Sequence, residues 1–217
     1  MSSLNTKQIL ASALSLYKRA LPSLAKTTLP LLALGEVINL FADSSSEPTS
    51  FFATAASGLA GLLASARALS LFFRTEFSGT SATVTPASFL LFLLAEAYVS
   101  VAVGLGMLLL VLPGLVILSA TFLAPALALA YRQGPIGAVA SSSEYTKGNV
   151  LPICLAILVF GTATAVPSLL VDLLPQPVFF VANLALAFAG LYLNAMVVVV
   201  FERLHPNTVV ERNEYTP

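Results

Sequence analysis

The sequence predicts an all-α polytopic membrane bundle of six transmembrane helices in three hairpins, with interfacial amphipathic helices beside it. Three observations predict this. Of 217 residues, 58% are hydrophobic and 9% charged, and the mean hydropathy is +0.93. Soluble domains carry about 25% charged residues, so this chain cannot cover a water-facing surface and lipid is its solvent. The apolar residues fall into six runs of about 17–25 residues, enough to cross a hydrocarbon core of about 30 Å. The basic residues sort to one side: Lys7, Lys18, Arg19, Lys26, Arg74, Arg132, Lys147, Arg203 and Arg212 share the face that carries the termini. The opposite loops carry Asp43, Glu47 and Asp172, and by the positive-inside rule both termini are cytoplasmic.

In chain order, residues 4–20 are an amphipathic helix suited to a membrane interface. Asn5, Gln8, Ser12, Ser15 and Arg19 form one polar stripe, and Leu10, Leu14, Tyr17 and Leu21 take another face. Pro22 opens span 1, about residues 23–42, and the acidic loop DSSSEPTS leads to span 2, about 51–73. A polar SGTSATVTP stretch precedes span 3, about 87–111, which turns at Leu112-Pro113-Gly114 into span 4, about 115–131. Pro125 has no N–H and should free the carbonyl of Thr121, giving a kink. Residues 135–147 hold Ser141, Ser142, Ser143, Glu144 and Lys147 and are too polar to span. Pro135 and Gly148 bound them as an interfacial helix. Span 5 covers about 150–172, with a kink at Pro167, span 6 about 178–201, and a polar tail covers 202–217. The whole is one integral membrane domain. Pro22, Pro86 and Pro152 open spans 1, 3 and 5, which suggests a threefold hairpin repeat.

No signal-peptide cleavage pattern follows the first apolar run, so span 1 is expected to be retained. The single Cys154 lies in an apolar run; it makes no internal disulfide and reads as a small buried hydrophobe. Zero net charge gives no field for nucleic acid.

Residues 108–153 join a Leu-Pro-Gly turn, a proline-bearing span, a Gly-Pro, an Ala/Ser-rich surface helix and Lys147-Gly148-Asn149. With the opening SALSLYKRALPSLAKTTLPLL, this resembles the YciC-like bacterial inner-membrane proteins. It is also similar to the membrane domain that accompanies some glycerophosphodiester phosphodiesterases. The resemblance implies the fold and a bacterial inner-membrane location, and carries no catalytic residue. The surface helix departs from such proteins in having few basic residues.

Ionisable and amide groups inside spans are the candidates for chemistry, because they are costly there. Arg67 in span 2 and Glu96 in span 3 lie at similar depth and are expected to pair. Glu36 sits in span 1 near the outer end. Asn183 and Asn194 share a stripe with Ala187 and Gly190 in span 6, and Ala53, Ser57, Gly61 and Ser65 form a small-residue stripe in span 2. Both stripes suit close helix approach. A lone His205 supports neither a dyad nor a histidine metal site, and no nucleophile elbow, phosphate loop or metalloprotease pair is present. No enzyme activity, metal or cofactor is therefore expected. The first functional expectation is a non-enzymatic scaffold, accessory subunit or membrane-homeostasis factor. Its partners would be membrane lipids and a membrane protein or a second copy of itself. The alternative is a small transporter or lipid-handling protein with a polar path near Arg67 and Glu96.

Overall fold

The structure, a computed structural model, describes residues 4–43, 47–77, 83–171 and 175–204. The described residues form helices α1 (Thr6–Asp43), α2 (Glu47–Glu76), α3 (Pro86–Leu109), α4 (Val111–Ala120), α5 (Ala124–Tyr131), α6 (Pro135–Thr146), α7 (Val150–Val171), α8 (Gln176–Gly190) and α9 (Tyr192–Leu204). Six segments are long and apolar enough to cross a membrane: Thr6–Leu40, Ser50–Glu76, Pro86–Leu109, Val111–Tyr131, Val150–Val171 and Val178–Leu204. The chain is an all-helical, multi-pass membrane protein. The turn around Asp172 and the tail beyond Leu204, with His205 and Arg212, lie outside the described residues.

Four local features differ from the sequence reading. The first is α1, which is one helix through Pro22 and Pro30 rather than a foot followed by a span. Each proline deprives the carbonyl four residues earlier of its helical partner. Those carbonyls belong to Lys18 and Lys26, both lysines and both prolines are exposed, and the helix continues through both prolines. The first turns of α1 also do not lie free on a lipid surface. Ile9, Ala13, Leu16, Ala20 and Leu24 are buried, and this stripe packs against α9, α8 and α7. Arg203 donates to Gln8 and Ser12 at 3.1 and 2.8 Å. The Leu4 amide donates to Asn149 Oδ1 at 3.0 Å, and Thr6 Oγ1 donates to the Pro152 carbonyl at 3.2 Å.

The second is the α3–α4 turn, which comes two residues early. Leu110 is the extended residue between the helices, and Leu112-Pro113-Gly114 form the first turn of α4, where a missing N–H costs nothing. The glycine serves the contact rather than the turn. A Cβ on Gly106 would lie 2.9 Å from the Gly114 Cα, and one on Gly114 would lie 2.8 Å from the Met107 backbone nitrogen. The two backbones touch there.

The third and fourth are spans 4 and 6. Each consists of two helices, α4/α5 and α8/α9, separated by a short break. The sequence reading expects a kink in span 4 and none in span 6.

The punctuation holds at the start of α3 and past the end of α6, while α7 runs through Pro167 as one helix. Thr85 and Ser88 form a reciprocal capping box ahead of Pro86 at the start of α3. Just past the end of α6, Gly148 takes a left-handed φ of +83°, the conformation glycine adopts most readily. The helix 135–147 is present as expected, with Ala138, Ser142 and Thr146 turned inward.

Candidate functional site

Span 4 breaks where Pro125 removes a donor. The released Thr121 carbonyl accepts instead from the Ala124 amide at 2.9 Å. Two further backbone groups at the break, the Leu123 N–H and the Ala120 carbonyl, find partners on α6. Ser142 Oγ accepts from Leu123 N at 3.1 Å and donates to Ala120 O at 2.8 Å. Thr146 Oγ1 lies 3.2 Å from the same Ala120 O and shares its one proton between it and the nearer Ser142 carbonyl, at 2.9 Å. Ser142 and Thr146 are fully buried, one helical turn apart on one face of α6, so a single helix side covers the break.

Span 6 breaks at Leu191, directly after Gly190, a residue that costs about 1 kcal/mol in a helix interior. The Phe188 carbonyl accepts from the Leu191 amide at 3.2 Å and from the Tyr17 hydroxyl of α1 at 3.0 Å. Tyr192, the first residue of α9, donates its hydroxyl to the Leu10 carbonyl at 2.6 Å. Each break is thus held by side chains from a segment that the sequence reading places at the membrane surface: α6 for span 4, the first turns of α1 for span 6.

Both breaks border one cavity of about 220 Å³. Its polar lining is Ser65, Glu96, Thr121 and Asn194, and its apolar lining includes Leu69, Val99, Leu118, Phe122, Pro125, Gly190, Leu193 and Val197. The polar residues share a depth. Glu96 lies ten residues along α3 from Pro86, Ser65 eleven residues before Glu76 at the end of α2, and Asn194 ten residues before Leu204 at the end of α9. Thr121 lies ten residues before Tyr131 at the end of α5. At ~1.5 Å per residue each is ~15 Å from a helix end, near the middle of its span.

The sequence-derived candidates separate here. Glu96 and Asn194 come together in the cavity; Arg67, Glu36 and Asn183 do not line it. Arg67 is exposed and lies two residues, or about 200° of helix, round from Ser65, so it leaves α2 on the far side from Glu96. The expected Arg67–Glu96 pair is absent, and the ion pair given by the described residues is Arg19–Glu76 at 2.9 Å. Charge reversal at Arg67 and at Glu96, alone and together, is accordingly expected to show no restoration of folded yield in the double variant; a rescue there would reinstate the pair. Glu36 and Asn183 are half-buried on α1 and α8.

The two small-residue stripes meet at one point, where Asn194 Nδ2 donates to Ser65 Oγ at 3.0 Å and Ser65 Oγ donates to Asn194 Oδ1 at 3.2 Å. Farther along α2, Ser57 instead packs against Gly35 of α1. Sequence reasoning missed Tyr17, Ser142 and Thr146 as holders of the breaks. The available signal was the i, i+4 spacing of Ser142 and Thr146 on a helix next to a proline-broken span.

Among the described residues no group of three or more His, Cys, Asp or Glu is placed to hold a metal. Glu96 is the one ionisable residue in the cavity lining. The arrangement can bind a solute, pair with a cation or exchange a proton at one carboxyl; it assembles no nucleophile–base pair. Compared with protein-family models, with curated proteins and with solved structures, the chain matches none.

Proposed function

We propose that this chain is a small membrane transporter whose solute site is the cavity between its two broken spans. One observation carries the reading: both breaks, on spans far apart in sequence, border the same cavity near the middle of their spans. Unpaired backbone inside a membrane costs several kcal/mol per group in lipid, so irregular backbone is kept where it is buried in protein or lines a cavity. Paired discontinuous helices around a midplane site are a recurrent way to bind a solute and to let two half-helices move independently. A scaffold or accessory subunit needs neither the shared depth nor the cavity. We place both termini in the cytoplasm from the distribution of lysine and arginine. We propose a bacterial inner membrane as its location, on the resemblance of residues 108–153 to the YciC-like proteins.

The test is flux in proteoliposomes, with small cations, anions and neutral solutes offered in turn. The unmodified protein moves one class, whereas Glu96→Gln and the cavity-filling Val99→Phe fall to the level of empty liposomes while accumulating normally. If no class moves, or if both variants transport at the unmodified rate, the proposal fails and the scaffold reading replaces it.

A further inference from the structure

We infer, on the transport reading above, that the cavity takes a small organic ammonium ion. Glu96 lines it and makes no hydrogen bond or ion pair to the described residues. A lone carboxylate in a low-dielectric site is costly unless it takes up a proton or a cation joins it. An anion would meet no cationic group in the lining and few donors: Ser65 donates to Asn194 Oδ1, Thr121 donates to the Ile117 carbonyl, and Asn194, which gives one amide proton to Ser65, keeps one. At the span 4 break the Leu123 N–H is engaged with Ser142 and the Ala124 N–H with the Thr121 carbonyl, Pro125 has none, and the Phe122 N–H is the one amide donor left there without a bond to the described residues.

The rest of the lining argues for an organic rather than an inorganic cation. A metal ion such as Ca²⁺ takes about 6–8 oxygen ligands, and this wall is mostly Leu, Val, Phe and Pro. Such a wall covers methyl and methylene groups, and Phe122 adds a ring face of the kind that attracts quaternary ammonium. At about 30 Å³ per water in the liquid, a volume of about 220 Å³ holds a solute of roughly seven water-sized groups.

Tetramethylammonium and tert-butanol share shape and size and differ in charge. Titrated calorimetrically into the protein in nanodiscs, tetramethylammonium is expected to bind about tenfold tighter or more, the discrimination a single desolvated charge contact supplies. Glu96→Gln removes that preference and keeps the weak binding of tert-butanol. A second measurement needs no variant: dicyclohexylcarbodiimide modifies Glu96, and tetramethylammonium slows the modification where tert-butanol does not. Equal binding of the two probes, or a preference that survives Glu96→Gln, overturns the inference. If tert-butanol or pivalate is carried in the flux assay and Val99→Phe stops it, transport stands and the ammonium assignment alone falls. Charge-selective binding without flux of any solute keeps the assignment and overturns transport.

Discussion

Replacing Ser142 by Ala and Thr146 by Val together is expected to lower stability by about 2–5 kcal/mol, read as a fall in the thermal unfolding midpoint in detergent. The changes remove no large side chain, so cavity formation contributes little. Their effect lies in two backbone groups at the span 4 break. Without Ser142 Oγ, the Leu123 amide and the Ala120 carbonyl lose bonds of 3.1 and 2.8 Å, and Thr146 no longer covers the same carbonyl at 3.2 Å. Leaving a buried donor or acceptor unpaired costs about 1–3 kcal/mol each. Thr146→Val alone should cost less, because Ser142 keeps both groups satisfied. The double variant should exceed the sum of the singles, as groups sharing one partner couple. An unchanged midpoint in the double variant would mean that α6 does not hold the break.

Gly106→Val is the second large effect. A Cβ there meets the Gly114 Cα at 2.9 Å and its nitrogen at 3.1 Å, besides Ile117 Cδ1 at 2.8 Å. The first two are backbone atoms and cannot rotate away, so α3 and α4 must separate. Overpacking of this kind costs about 1–3 kcal/mol, occasionally more, and here it also moves α4, whose far end borders the cavity. Gly104→Val provides the control, since nothing lies within 4 Å of the Cβ position at Gly104. Purified variants should show a lowered midpoint for Gly106→Val and a near-unchanged one for Gly104→Val. Equal behaviour of the two would place the α3–α4 contact elsewhere.

The positions of the spans were legible because length and composition set them, and lipid admits helices that satisfy their own backbone. The span 4 break was legible in part, since a proline's missing N–H acts locally. The span 6 break was not. The run Leu184–Ala195 contains no proline, and the groups that hold its break come from afar: Tyr17 is 171 residues from Phe188. The buried face of α1 was missed for a related reason. Leu10, Leu14, Tyr17 and Leu21 were read as the apolar face of an interfacial helix, and Leu14 and Leu21 are 45% and 41% exposed, whereas Ala13 and Ala20 are buried against protein. In lipid both sides of a helix are apolar, so hydrophobicity does not separate the protein-facing side from the lipid-facing one; small residues that allow close approach do. The Arg67–Glu96 expectation failed on angle. Residue count fixes depth along a helix, but the azimuth relative to a neighbour depends on packing.

On the transport reading the space between the two breaks is a solvent-reachable site; a dry packing defect would exclude water. Cysteine accessibility separates the two. In a Cys154→Ser background, Leu118→Cys and Val197→Cys place a thiol in the cavity lining from α4 and from α9, and Leu105→Cys and Leu155→Cys place one on exposed apolar positions. A water-soluble trimethylammonium thiosulfonate is expected to label both cavity cysteines and leave both outer ones unlabelled, with Ser143→Cys on the exposed side of α6 as the positive control. Labelling at Ser143→Cys alone would show a dry defect and rule out a solute site there.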